Sequence, residues 1–111
     1  MPHDPRAAVF DMRQAIERAQ RLVHGLSEED FSANETVQWA VFSQIIILGE
    51  AAGRLDKDYQ SRHSDIPWAS ITGMRHRLVH GYDSVDWERV WRTLIDDLPR
   101  LLAQLGSLVE D

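Results

Sequence analysis

The 111-residue sequence contains no cysteine, which excludes disulfide bonds, thiolate zinc sites and cysteine nucleophiles together. It also lacks a long hydrophobic run. The most apolar stretch, Val37 to Gly49, is thirteen residues long and includes polar side chains, whereas about 20 residues are needed to span a bilayer. Met1 to Arg6 shows no charged region followed by an apolar one, as a secretory signal would. We therefore expect a cytoplasmic protein that does not contact a membrane.

Positive charge is scarce, since the formal net charge is −6, and this argues at first sight against nucleic-acid binding. The charge is unevenly placed, however. The window from Ile66 to Tyr82 contains no carboxylate but has two arginines and two histidines, and the rest of the chain carries −8. Lysine is scarcer still, because Lys57 is the single lysine among 12 basic residues. Arginine suits planar recognition of phosphate or carboxylate, although a GC-rich genome would produce the same bias.

No segment alternates with the period of a β-strand, and apolar residues recur at helical spacing along most of the chain. We predict one domain over residues 1–111, an all-α bundle of four main helices with room for a short fifth. The predicted helices run over Arg6–Leu26, Asn34–Leu55, a third element from Pro67 that ends at Gly81, and Val85–Val109.

Local signals place the ends of these helices. Gly25 ends the first helix, and Ser32 with Glu35 has the spacing of a capping box at the start of the second. The polar stretch 56–65 is interpreted as a connection, with N-cap residues for the last helix among 83–86. Pro99 is expected to kink that helix, because proline removes a backbone donor and crowds the preceding turn.

The second predicted helix is apolar on nearly every face, which is typical of a central helix or of one in a subunit interface. Glu50, near its end, and the four tryptophans of the chain are each open to more than one interpretation. Glu50 is either a partner of Arg75 or Arg77 or simply the solvated end of the helix. The four tryptophans are more easily explained as core residues than as platforms for bases.

The densest polar cluster is the sequence from Arg75 to Tyr82. It combines a fixed cation, imidazoles that titrate near neutrality and a phenol, the residue types that metal-free cleavage of a phosphodiester requires. Two other interpretations stay open. Cations at a helix C-terminus complement the helix dipole. His76 and His80, at i and i+4, also have the spacing of two metal ligands, with Glu50 or His63 as a third.

Helix geometry restricts how the cluster can act. At 100° per residue, Arg75 and His80 are 140° apart around a straight helix, so they do not point at one phosphate. Either Gly81 unwinds the last turn, or two chains face each other and pool their residues. Arg75 and Tyr82 would lie within 20° of the same face if the helix continued.

The sequence GMRHRLVHGY, residues 73–82, closely resembles the R-x4-H-x-Y signature of HepT-like proteins of the HEPN superfamily. The resemblance extends over essentially the whole chain. It includes residues 38–52 with the Leu-Gly-Glu-Ala segment 48–51, the Ile-Pro-Trp of 66–68, residues 85–91 and the Leu-Pro of 98–99. In place of the family's usual Asn or Asp after the motif arginine, this chain has His76.

The resemblance implies an all-helical homodimer that acts as a ribonuclease toxin with an MntA-type nucleotidyltransferase as antitoxin. It implies metal-independent RNA cleavage without a cofactor, in which Arg75 binds the scissile phosphate and His80 acts as general base or acid on the 2′-hydroxyl. Tyr82 would line the site and also corresponds to the residue that receives AMP, which silences the toxin. His76, Arg77 and Glu50 would support the site, and His76 would share the proton transfer.

Two alternatives belong to other functional classes. In one, the chain is a non-catalytic HEPN binding module that docks a nucleotidyltransferase or a nucleotide, so that Arg75 and His80 bind without cleaving. In the other, it is a structural dimer whose basic residues only cap helices.

Overall fold

A computed structural model describes residues 4–108 of the chain, and within that range every regular element is helical, with no strand. The long helices are α1 (Pro5–Val23), α3 (Glu35–Gly53), α5 (Trp68–His80) and a last segment made of α6 (Trp87–Arg92), a π-helical turn (Thr93–Asp97) and α7 (Leu98–Leu108). The short elements are α2 (Glu28–Ser32), α4 (Lys57–Arg62) and a 3-10 turn (Tyr82–Ser84). The predicted all-α bundle with four main helical segments is confirmed.

Among the described residues, no helix is both long enough and apolar enough to cross a bilayer. The end of the last helix predicted at Val109 lies outside the described residues, as do the first three residues of the chain.

Helix α3 is central to the bundle, because α1, α5 and the short α2 all pack against it. Val41, Ile45 and Leu48 are almost completely buried. The apolar faces of α3 are thus explained by its central place in the bundle, the first of the two interpretations given above. Trp39 and Ile47 nevertheless keep 40% and 38% of their surfaces exposed, so part of the apolar surface of α3 is not covered by this chain.

Helix α1 has the amphipathic pattern that the sequence predicted. All five residues of its predicted apolar stripe are buried, namely Val9, Met12, Ile16, Ala19 and Val23. The helix ends three residues earlier than predicted. Gly25 follows with φ of 80°, a left-handed conformation that glycine adopts without steric cost.

Helix α2 was not predicted, because five residues are too few to show a helical period. It begins with a capping box: the backbone N–H of Asp30 donates to the Ser27 hydroxyl at 3.1 Å, and the backbone N–H of Ser27 donates to the Asp30 carboxylate at 3.0 Å. Hydrogen bonds to the Asp30 carboxylate from the backbone N–H of Ser27, and secondly from the Ser27 side chain, lower the pKa of Asp30 from its usual value. The helix places Phe31, which is fully buried, against Trp87 and Trp91.

The predicted capping box of Ser32 and Glu35 at the start of α3 is wrong. Ser32 is the last residue of α2, and Asn34 is the N-cap of α3. Its Oδ1 accepts a hydrogen bond from the backbone N–H of Val37 at 3.0 Å. Asn34 takes the position because it immediately precedes the first helical residue and its short amide reaches the free N–H groups.

Replacement of this cap tests the assignment. We expect Asn34→Ala to lower the free energy of unfolding by about 1 kcal/mol, because the N–H of Val37 loses its partner. Ser32→Ala is the matched control, since the capping-box spacing with Glu35 had predicted Ser32 as the cap. This change should leave the free energy of unfolding nearly unchanged. Urea unfolding followed by circular dichroism measures both. Equal losses for the two variants would contradict the assignment.

The stretch 56–65, predicted as a connection, contains helix α4. Asp56 is its N-cap and accepts a hydrogen bond from the backbone N–H of Tyr59 at 2.8 Å. The helix has no buried residue, so no apolar stripe revealed it. After α4, the indole N–H of Trp68 donates to the carbonyl of His63 at 3.0 Å and fixes the entry of the chain into α5.

The last helical segment begins at Trp87, where the side chain of Asp86 caps the backbone N–H of Arg89 at 3.1 Å. Pro99 was expected to kink this segment. The structure has a π-helical turn over Thr93–Asp97, immediately before it, in which the N–H of Leu98 donates to the carbonyl of Thr93. A wider turn of this kind accommodates a ring that would otherwise crowd the preceding turn.

Candidate functional site

The basic cluster occupies the last two turns of α5, and the helix is intact through His80. The N–H of Gly81 donates to the carbonyl of Arg77 at 2.9 Å, a regular α-helical bond. The idea that Gly81 unwinds the turn at His80 is therefore wrong, and Arg75 and His80 stay on different sides of α5. Beyond His80 the chain enters the 3-10 turn, so Tyr82 does not continue the helix face of Arg75.

Arg75 is half-buried and forms an ion pair with Glu50 of α3, through its Nη2 and the carboxylate Oε1. Of the alternatives for Glu50, the structure supports a partner of Arg75. The Nε of Arg75 is buried and has no hydrogen-bond partner among residues 4–108. The guanidinium is thus held at one nitrogen and shielded at another, and the donors of Nη1 form no hydrogen bond within the described residues.

Helices α3 and α5 come closest where Arg75 lies against Gly49. A Cβ built on Gly49 would overlap the Cβ of Arg75, lie 2.7 Å from its Cγ and be 3.5 Å from the carbonyl oxygen of Ile71. Glycine at position 49 therefore allows α5 to approach α3 closely at Arg75.

His76 and His80 form a pair on the exposed side of α5. Their ring centroids are 4.2 Å apart with an angle of 48° between the planes. Both side chains are exposed, so solvent or a ligand can reach them. Within the described part of the chain, no three His, Cys, Asp or Glu side chains are grouped closely enough to hold a metal ion.

Tyr82 follows α5 with 64% of its surface exposed. In the described range it forms no hydrogen bond with Arg75 or His80 of its own chain. One chain therefore pairs Arg75 with Glu50, and His76 with His80. Among residues 4–108, no hydrogen bond, ion pair or ring contact joins these two pairs to each other or to Tyr82.

Arg77 faces a different part of the surface. It lines a groove of about 810 Å³ between α5 and the segment from α6 to α7. The floor is aliphatic and includes Leu48, Met74 and Leu78, and Arg89 lies along the wall with several aspartates. Arg75, His80 and Tyr82 do not line this groove. Arg77 is thus separated from the other predicted site residues.

The sequence of this chain matches a family model described as "Ribonuclease HepT-like" over residues 12–108. The chain belongs to the HepT-like ribonuclease family. The match includes every candidate site residue named above.

Two relatives of this HepT-like chain are similar over nearly their whole length. A protein of Caldanaerobacter subterraneus subsp. tengcongensis, named "Putative RNase", is 32% identical over 106 residues, which is 96% of this chain and 95% of the relative. A protein of Thermococcus cleftensis, named "Probable ribonuclease HepT", is 33% identical over 98 residues, 88% of this chain and 89% of the relative. No solved structure matches the chain with significance.

The tryptophans of the HepT-like chain are mainly structural, as predicted. Trp68 is buried, and Trp87 and Trp91 are half-buried around Phe31. Trp39 packs edge-on against Trp87 with ring centroids 5.3 Å apart and is the most exposed of the four.

Sequence reasoning missed the role of Gly49 in placing Arg75. The one sequence feature that could have revealed this role is a glycine inside an otherwise apolar helix, followed directly by the carboxylate of Glu50. A glycine within a helix costs stability relative to alanine, so its presence indicates a close approach by another group.

Proposed function

We propose that this chain is a metal-independent endoribonuclease that acts as the toxin of a HepT/MntA-type pair. The observation that carries the proposal is the R-x4-H-x-Y sequence of a HepT-like chain, with Arg75 held half-buried on Glu50 and His80 exposed on the intact last turn of α5. The relatives named as ribonucleases give further support.

In the proposed reaction, the Nη1 end of Arg75 binds the scissile phosphate and stabilises the charge that develops on its oxygens. His80 takes the proton from the ribose 2′-hydroxyl, whose oxygen then bonds to phosphorus. The bond from phosphorus to the 5′-oxygen breaks, and that oxygen receives a proton. The products are a 2′,3′-cyclic phosphate on one fragment and a 5′-hydroxyl on the other.

We propose that the site is pooled from two copies of the chain. Arg75 and His80 lie on different sides of one straight helix, so a phosphate that contacts both is more easily bound between the α5 helices of two protomers. The exposed Trp39 and Ile47 supply apolar surface that a second copy would cover.

Sedimentation equilibrium tests this arrangement. We expect a particle of twice the 12.8 kDa chain mass at micromolar concentration, because the site is incomplete in one protomer. A stable monomer that cleaves RNA at the full rate would contradict the pooled site.

Tyr82 is the proposed point of regulation. Its exposure in the 3-10 turn makes the phenol accessible to a partner nucleotidyltransferase of the MntA type. Transfer of AMP would form a bond between the phenol oxygen and the α-phosphorus of ATP and release pyrophosphate. The adduct adds negative charge and bulk close to the end of α5, where RNA phosphate must approach.

The decisive experiment uses the purified chain, a fluorescent single-stranded RNA and excess EDTA. We expect cleavage with cyclic phosphate ends, and growth arrest when the chain is expressed without its partner. If RNA stays intact and expression is harmless, while the chain still binds a nucleotidyltransferase or a nucleotide, it is instead the non-catalytic binding module.

A further inference from the structure

Two consecutive residues of α3 contact the same side chain of α5. Gly49 lies directly beneath the Cβ and Cγ of Arg75, and the carboxylate of Glu50 binds its guanidinium. The base and the tip of Arg75 are thus both held by one turn of the neighbouring helix.

The hydrogen-bond donors of Arg75 show what this contact achieves. A guanidinium has five N–H donors in a fixed plane. The Nε donor is buried without a partner in the described range, and one donor of Nη2 is used by Glu50. The donors that remain are those of Nη1 and the second one of Nη2. A pair of donors on the two neighbouring Nη atoms can bind two phosphate oxygens.

We propose that Gly49 and Glu50 are positioning residues for Arg75, a role that rests on the proposed ribonuclease function. Gly49 sets how closely α5 approaches α3, and Glu50 sets the rotation of the guanidinium. Together they hold the free donors of Arg75 in one orientation before RNA binds, so that little reorganisation is needed when charge develops on the phosphate.

A different role for Glu50 would have the opposite effect. If the carboxylate only competed with phosphate for Arg75, its removal would strengthen RNA binding and leave kcat unchanged or higher. If Glu50 orients Arg75, its removal lowers kcat. The sign of the change therefore distinguishes the two roles.

Gly49→Ala is the first test, with Gly53→Ala as the matched control. Both glycines are in α3, but a Cβ on Gly53 meets no atom within 4 Å. We expect Gly49→Ala to lower kcat for RNA cleavage by about 100-fold, since displacement of a catalytic group by about 1 Å has this effect. Gly53→Ala should cleave like the wild type. Equal activity of the two variants overturns the role of Gly49.

Substitution of Glu50 keeps the proposal testable if Gly49→Ala does not fold. We expect kcat to fall by about 10-fold in Glu50→Gln, whose amide oxygen still accepts from Nη2, and by about 100-fold in Glu50→Ala, with KM changed less than threefold. Glu35→Gln, at an exposed carboxylate in the first turn of α3, serves as control. Tighter RNA binding with undiminished kcat overturns the role of Glu50.

A measurement without RNA separates failure of this proposal from failure of the ribonuclease function. In 15N NMR spectra, the buried Nε–H of Arg75 should exchange slowly in the wild type and in Gly53→Ala, and rapidly in Glu50→Ala. If the wild type does not cleave RNA but shows this pattern, positioning stands and the reaction is wrong. If the Nε–H signal is unaffected in Glu50→Ala, positioning is wrong whatever the activity.

Discussion

Replacement of Arg75 by alanine is expected to lower the rate of RNA cleavage by about 10²–10³-fold, the effect of removing one preorganised donor from a developing oxyanion. Arg75 is suited to this role because its guanidinium is half-buried and oriented by Glu50. Arg75→Lys should be nearly as impaired, since an ammonium group keeps the charge but lacks the planar edge that binds two oxygens.

Initial rates on a fluorescent RNA with EDTA measure this loss. Arg18→Ala is the matched control, because Arg18 is an exposed arginine on α1 that forms no ion pair among the described residues. Circular dichroism should show the same helix content in all three variants. Cleavage by Arg75→Ala at the rate of Arg18→Ala would remove Arg75 from the reaction.

His80→Ala belongs to the same test but should differ in one respect. The ring of His76 is centred 4.2 Å from that of His80, so it is near enough to take over part of the proton transfer. We expect residual cleavage in His80→Ala and none in the double variant His76→Ala/His80→Ala. If both variants are equally inactive, His76 has no part in proton transfer.

Tyr82→Phe is expected to abolish AMP transfer to the chain by the partner nucleotidyltransferase, because the phenol oxygen is the proposed acceptor. The variant should keep its ribonuclease activity and become insensitive to the partner. The exposed 3-10 turn favours this outcome, since removal of one hydroxyl there leaves no buried group without a partner.

Intact-mass spectrometry of chains co-expressed with the partner measures the modification. Tyr59→Phe is the natural control, since Tyr59 is the other tyrosine of the chain and is half-buried beside His63 and Trp68. It should be modified like the wild type. An AMP adduct on the Tyr82→Phe chain would contradict the assignment. So would the loss of the adduct in Tyr59→Phe while the wild type still carries it.

The main helices were predictable because a continuous apolar stripe and a clear stop signal occur together. This is the case for α1 with Val9 to Val23 and for α5 with Gly81 after its last turn. Helix α4 has no buried residue, and α2 buries only Phe31, so periodicity could not reveal either. The start of α3 was misplaced because Ser32 and Asn34 are both good caps, and only the existence of α2 decides between them.

The candidate site was predictable as a set of residue types but not as an arrangement. The window from Ile66 to Tyr82 is free of carboxylates in sequence, yet Glu50 reaches into it from α3 and pairs with Arg75. Arg77 and Arg75 are neighbours in sequence, but Arg77 lines the groove beside α6 and α7 instead. These relations depend on how α3 and α5 cross, which no local pattern specifies.

The crossing of α3 and α5 at Gly49 imposes a trade-off on a single residue. Alanine is the better helix former by about 1 kcal/mol, so secondary structure alone favours a methyl group at this position. The Cβ and Cγ of the Arg75 side chain leave no room for one. In the proposed enzyme, a change that strengthens α3 as an isolated helix would therefore disturb its packing against α5 and weaken the site, so helix propensity and tertiary packing make opposite demands on this position.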